Sequence, residues 1–193
     1  MLGSIKSQKS KTLHLLTLVL LVSCNQNYQP KPKGLNQISL QKPTYKKTTI
    51  ESQYEFERNT YSDLIENDEF DWVNIRYKKH NGEVLVTYKK IGSASDLILY
   101  TDEAYRLINK HKTKAISITE TKVTTKNNKS AILIDIKGEV PSPFQIITTD
   151  STNNFLRAAL YFDSPIKGDS LKPVVNYLKK DMLHMLKTLR WYD

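Results

Sequence analysis

Residues 72–88 read Trp-Val-Asn-Ile-Arg-Tyr-Lys-Lys-His-Asn-Gly-Glu-Val-Leu-Val-Thr-Tyr. Trp72, Asn74 and Arg76 alternate with Val73, Ile75 and Tyr77, and the same period of two resumes at Val84, Val86 and Tyr88, with Leu85 on the opposite face. Between the two runs stands His80-Asn81-Gly82. Asn-Gly readily takes the positive φ that a tight turn demands. Two alternating runs about such a turn form a β-hairpin. Its strands are antiparallel, which sets the character of the sheet.

Downstream, Ser95-Asp96 offers an N-cap to a helix carrying Leu97, Leu99, Tyr100, Ala104, Leu107 and Ile108 at helical spacing, ending near Lys110-His111. Ile116, Ile118 and a β-branched run through Val123 predict a strand, and 126–129 (Lys-Asn-Asn-Lys) a turn. Ala131 to Ile136 is a second strand, broken by Gly138 and Pro141. Phe144, Ile146 and Thr148 begin a third; Asp150 to Asn154 is turn chemistry, and Phe155 to Phe162 is the returning strand. Asp169-Ser170 then caps a last helix, with Pro173 tolerated in its first turn. Its apolar stripe is Val174, Val175, Leu178, Met182, Met185, Leu186 and Leu189.

Upstream, Tyr54 and Phe56 alternate with charge and predict the first strand. The expected order is three strands, a helix, four strands and a helix. Hairpins dominate, so the expected class is α+β: a twisted, mainly antiparallel sheet with about two covering helices. That order is similar to the Mog1/PsbP-like sandwich, an analogy of fold that carries no function.

The N-terminus is of another kind. Lys6, Lys9 and Lys11 precede an apolar core from Leu13 to Val22, interrupted only by His14 and Thr17. This is the pattern of a secretion signal. It is well short of the ~20 apolar residues that a spanning helix needs. The core ends in Leu21-Val22-Ser23-Cys24, a bacterial lipobox, and Cys24 is the only cysteine. Cleavage before Cys24 and its lipidation, acyl chain included, are therefore expected. No thiol is left for a disulfide. Residues 25 to about 44 have no hydrophobic period and contain Pro30, Pro32 and Pro43, which favour extended backbone. The organisation read from sequence is thus a signal peptide at 1–23, lipidated Cys24 with an extended tether at 24–44, and one α+β domain at 45–193. Asn25 after the cysteine favours outer-membrane sorting over retention, and non-acidic Gln26 and Asn27 favour facing the periplasm.

The chain has 29 Lys+Arg against 20 Asp+Glu, a formal +9. Three lysines lie in the acid-free leader, so without it the charge falls to +6. The lysines are scattered, and no nucleic-acid motif accompanies them. A solvated surface with a mild pull toward acidic envelope components fits better than nucleic-acid binding.

Several segments together resemble the gliding-motility lipoprotein GldD family of the Bacteroidetes. They are Pro30-Lys31-Pro32-Lys33-Gly34, then Trp72 to Tyr77, Val86-Thr87-Tyr88-Lys89, and His111 to Ala115. The most specific is the C-terminal block: Thr149 to Thr152, Phe155 to Phe162, Asp169 to Val174, then Tyr177, Asp181, His184-Met185 and Trp191. The resemblance covers essentially the whole chain after the leader. It implies a cell-envelope lipoprotein needed for gliding and for the type IX secretion apparatus, with no enzymatic reaction. Leu35, Gln37 and Asp71 depart from the family pattern, which carries an aromatic, a basic residue and often a Cys at the corresponding places.

No coherent catalytic set stands out. His14, His80, His111 and His184 lie in different segments and form no i,i+4 pair, so no metal and no cofactor are expected. Ser93, Ser95, Ser151 and Ser164 lack a nucleophile elbow. Asp135, Asp150 and Asp163 are the carboxylates available to a glycan hydrolase. Asp135 between Ile134 and Ile136 also suits a solvent-facing position, and Asp150 suits a loop cap. Arg157 on a strand is placed to pair with Asp135 or Asp163, and His184 to hydrogen-bond Asp181 on its helix. Arg157, Trp191 and Tyr192 are the candidate interaction residues. The expected function is a non-catalytic envelope lipoprotein that contacts other gliding and secretion proteins. The alternative is a periplasmic hydrolase or binding module acting on peptidoglycan or an envelope polymer.

Overall fold

A computed structural model describes residues 38–51, 53–67, 72–125, 129–165 and 171–192. Cys24, the leader, most of the tether, the turn at 126–128 and the expected cap at 169–170 lie outside the described residues.

Among the described residues there are ten strands and two α-helices. The strands are β1 (Tyr45–Ile50), β2 (Tyr54–Asn59), β3 (Asp63–Asn67), β4 (Trp72–Tyr77), β5 (Gly82–Lys90), β6 (Ala115–Thr124), β7 (Ser130–Gly138), β8 (Phe144–Thr149), β9 (Asn154–Phe162) and β10 (Arg190–Trp191). The helices are α1 (Ala94–Asn109) and α2 (Lys172–Thr188). The class is α+β, as expected. All pairings are antiparallel, in a seven-stranded sheet ordered β3-β4-β5-β9-β8-β7-β6 and a three-stranded sheet ordered β1-β2-β10.

The hairpin of residues 72–88 forms as read, with Trp72 opposite Thr87 and Tyr77 opposite Gly82. A 3-10 turn at Lys78–His80 ends on Asn81 in the left-handed region. A Cβ on Gly82 would lie 2.7 Å from Leu178, so its bareness lets α2 press on the hairpin.

Three strands went unread. β1 carries Lys46 and Lys47 outward and buries only Thr48 and Ile50, which hides its period. β3 is a five-residue edge and β10 has two residues. The observed order is therefore five strands, a helix, four strands, a helix and a short closing strand. Helix α1 also starts earlier than Ser95-Asp96 predicts. Ser93 is its N-cap, accepting from the Asp96 backbone N–H, while the Asp96 carboxylate accepts from the Gly92 N–H. That is a form of capping box.

Alternation along β9 decides what lies on each side. Leu156, Ala158, Leu160 and Phe162 face the larger core, built with α2 and the three-stranded sheet. Phe155 faces a smaller core under α1 with Ile108, Ile134, Ile136 and Ile147. Ile38 and Leu40, from the end of the expected tether, pack partly buried against the larger core. No helix among the described residues is long and apolar enough to cross a membrane.

Candidate functional site

Helix α2 places Asp181 on its apolar stripe, three and four residues after Leu178 and Tyr177, and leaves it 4% exposed. A carboxylate there must find donors or neutralise. Tyr45 Oη donates to its Oδ1 at 2.8 Å and Asn59 Nδ2 to its Oδ2 at 2.7 Å. Tyr77 is a third hydrogen-bond partner. Asn59 Nδ2 also donates to Tyr177 Oη at 2.8 Å.

Burial raises the Asp181 pKa, and the bonds from Asn59, Tyr45 and Tyr77 with nearby His184 pull it only partly back. Burial, then the Asp181 carboxylate, raises the phenols of Tyr45 and Tyr77. At the edge of this knot the His184 ring stacks on Tyr45 at 3.6 Å, and its Nε2 lies 2.7 Å from a Glu57 carboxylate oxygen. His184 was expected to bond Asp181; the helix turns it toward β2 instead, and Glu57 is its partner. The knot ties β1, β2 and β4 to α2. With donors on both carboxylate oxygens, it is a clamp.

On the opposite face Arg157 projects from β9 toward the α1 side and is 7% exposed. Its Nη2 donates to Gln145 Oε1 at 2.6 Å, and Gln145 Nε2 donates to Ser142 Oγ at 3.0 Å. Tyr161 is its other side-chain partner. Arg157 makes no ion pair among the described residues. The expected pairing with Asp135 or Asp163 is corrected: β7 turns Asp135 to the α2 side, where it ion-pairs with Lys179, and Asp163 is exposed past the end of β9. The Arg157 Nε, the His111 Nε2 and the Asn74 Oδ1 are buried without hydrogen-bond partners. Burial lowers the His111 pKa and the positive Arg157 lowers it further, so the ring is neutral at pH 7.

Above this face α1 turns apolar side chains outward: Ile98 is 63% and Leu99 53% exposed. At the C-terminus Trp191 is half-buried against Tyr54 and Tyr88, with Lys129 over its ring at 5.9 Å. Tyr192 is 40% exposed and bonds Glu55, which also pairs with Lys47 at 2.6 Å. Of the candidate interaction residues, Tyr192 thus stands at the surface, Trp191 is half-covered and Arg157 is inside.

Asp150 does cap its loop. Burial acts to raise its carboxyl, but the bonds from the Asn154 side chain and the N–H groups of Asn154, Thr152 and Asn153 prevail and bring it to about 2. Two open clefts flank the molecule. One, of about 370 Å³, is lined by Arg76, Lys78, Asn81, Glu83 and Asp163; the other, of about 340 Å³, by Lys47, Glu55, Glu57, Lys187 and Arg190. Neither is lined by Asp181 or Arg157. No cluster of three metal-ligating side chains occurs among the described residues.

Sequence reasoning named Asp181 only as a partner for His184 and not as a buried carboxylate, and it missed Asn59. The usable signal was an acid inside an apolar stripe, since a solvent-facing Asp does not fall at that spacing. Nothing in the sequence marked Asn59. A family model described as gliding motility lipoprotein GldD matches residues 25–191. The search of curated proteins gave no match.

Proposed function

The chain belongs to the GldD family of gliding-motility lipoproteins, and from that premise we propose a non-catalytic role in assembling or stabilising the gliding and type IX secretion apparatus through protein contacts. As a member of a lipoprotein family it is a lipid-anchored protein of the cell envelope. The reading extends this to a signal peptide at 1–23, an anchor on Cys24, a tether from 24 whose far end, at Ile38 and Leu40, packs on the domain, and an outer-membrane position facing the periplasm. The domain, 45–193, is what the tether presents.

The family match carries the link to gliding. The exposed pair Ile98-Leu99 supports protein contacts, because covering it on binding would remove apolar area from water. Tyr192 adds an aromatic of the type enriched at interfaces.

Deleting the gene should abolish colony spreading and secretion of type IX cargo. Complementation with an Ile98→Asp/Leu99→Asp chain should restore its level in the envelope without restoring spreading. Spreading and secretion intact after deletion would defeat the reading. Asp135→Asn and Asp163→Asn should leave gliding normal; loss of gliding together with lost cleavage of sacculi would favour the hydrolase instead.

A further inference from the structure

Three lysines of one turn lead into an exposed isoleucine, and a fourth stands opposite its neighbour across the β6–β7 pair. Lys110, Lys112 and Lys114 form the turn that follows α1, and Lys137 sits opposite Ser117 on the neighbouring strand. All four are exposed, and none is ion-paired among the described residues. Ile116 is 86% exposed, more than the other large exposed apolar residues of the described chain. It stands at a bulge, where the β6–β7 register shifts between Ala115 and Ser117.

The tip is firmly built. The Lys114 and Ala115 N–H groups both donate to the His111 carbonyl, at 3.0 and 2.9 Å. Gly138 faces the bulge at φ +132, and a Cβ there would come within 2.4 Å of the Lys114 carbonyl oxygen. Backbone packing thus holds Ile116 out. The nearest acids are Glu139, next to Gly138, and Glu120, four residues along β6, which is bonded by Tyr105; the buried His111 ring is neutral.

We propose that this lysine-flanked Ile116 tip is a second membrane contact, docking on anionic lipid headgroups of the bilayer that carries the anchor. The proposal rests on the lipid-anchored reading of the chain and is independent of any protein partner. A lone isoleucine offers too little apolar area for the centre of a protein interface. It suffices to enter the headgroup boundary when cations flank it, since lysine stems follow apolar surface while their ammonium groups stay among the headgroups. Each lysine at an anionic surface strengthens binding about fivefold. Such a contact is weak for a free protein. It matters for one whose anchor keeps a bilayer within reach, because tethering raises the effective concentration.

The test uses the lipidated full-length product reconstituted in vesicles, with lipidation read from the mass of its N-terminal peptide. Ile116→Cys takes a nitroxide selectively, because the sulfur of the chain's own cysteine is held in the thioether of the lipid anchor. In vesicles of phosphatidylethanolamine with a quarter phosphatidylglycerol, label 116 should lose about fivefold of its accessibility to a water-soluble nickel chelate. Neutral vesicles, or high salt, should restore it. A label from Ile98→Cys should not change. Lys112→Glu/Lys114→Glu should abolish the protection, whereas Lys172→Glu/Lys180→Glu, with the same change in net charge, should not.

Equal accessibility at 116 with and without phosphatidylglycerol would overturn the proposal. So would equal loss with either lysine pair, which would show net charge acting alone. Protection on neutral vesicles by an added soluble polyanion would also refute a bilayer-specific contact. The vesicle and salt arms need no lysine variant, so a poorly folding mutant does not shield the idea. Failure here with intact lipidation and normal gliding would leave the protein-contact reading standing.

Discussion

On the α2 side of the seven-stranded sheet a buried carboxylate meets donors from Tyr45, Asn59 and Tyr77. On the α1 side a buried guanidinium meets Gln145 and Tyr161 and keeps its Nε unpaired, with an orphan His111 nitrogen and an orphan Asn74 oxygen on the same face. The α2 side packs the larger core, while the α1 side packs the smaller one and turns Ile98 and Leu99 outward. A buried polar atom without a partner costs about 1–3 kcal/mol. Orphans occur on both sides, since Arg58 Nε and Trp191 Nε1 are unpartnered on the α2 side; the sides differ in that the buried carboxylate is fully met by donors while the buried guanidinium is not, and in the apolar outer face of α1. Interaction surfaces are drawn from such regions.

The strongest way to break this contrast is Asp181→Ala. It strands donors on three elements and opens space in the larger core, so denaturant unfolding should show a loss of about 3–5 kcal/mol. Arg157→Met, which removes a buried charge lacking an anionic partner, should stay within about 1 kcal/mol of the parent. If the two variants cost the same, the contrast fails.

The two faces should also differ in their response to alkali. Tyr45, Tyr77 and Tyr177 have raised pKa values, first by burial and, for each, also by the Asp181 charge. Their contribution is full below the unfolded value of 10.0 and is lost as pH rises beyond it. His111 has a lowered pKa, so its contribution is full above 6.5 and is lost as pH falls below that value. His80, beside Tyr177 on the α2 side, is lowered by burial as well, so mild acid draws on both faces. Hydrogen exchange corrected for intrinsic rates should show β1 loosening before α1 in alkali, and simultaneous opening of both there would contradict the division.

The smallest effect belongs to the β8–β9 loop, which serves neither face. Asp150 titrates near 2 against an ordinary 3.8, so its contribution is present above 3.8 and disappears as pH falls through about 2. The side chain is exposed and screened, so Asp150→Asn should change stability by less than about 1 kcal/mol. It should flatten that stretch of the acid profile in a melting series.

Much of the fold was legible where local patterns carry it. The β4–β5 hairpin, the β6–β9 meander and the apolar stripe of α2 each follow from a period and a turn. β1 was not legible, because its outward lysines mask two buried side chains and its hold on α2 runs through Tyr45, which meets Asp181 and His184 far along the chain. The polar sites were legible as residue types only. Arg157 was marked, but its partner is Gln145, twelve residues back and one strand over. Asp181 was placed beside His184, yet its donors come from residues more than a hundred positions away.

The sequence alone determined the antiparallel hairpins, the two helices, the expected lipid anchor and the family to which the chain was matched. These rest on neighbours within a few residues, where turn chemistry and side-chain period act directly. Only the tertiary structure decided which polar residues would be buried and with whom, that Ile98, Leu99 and Ile116 would stay outside, and that the buried carboxylate would be met on both oxygens while the buried guanidinium kept its Nε unpaired. Those outcomes depend on which distant elements meet, since a carboxylate or guanidinium is stabilised by the donors and acceptors packed around it and not by its place in the chain.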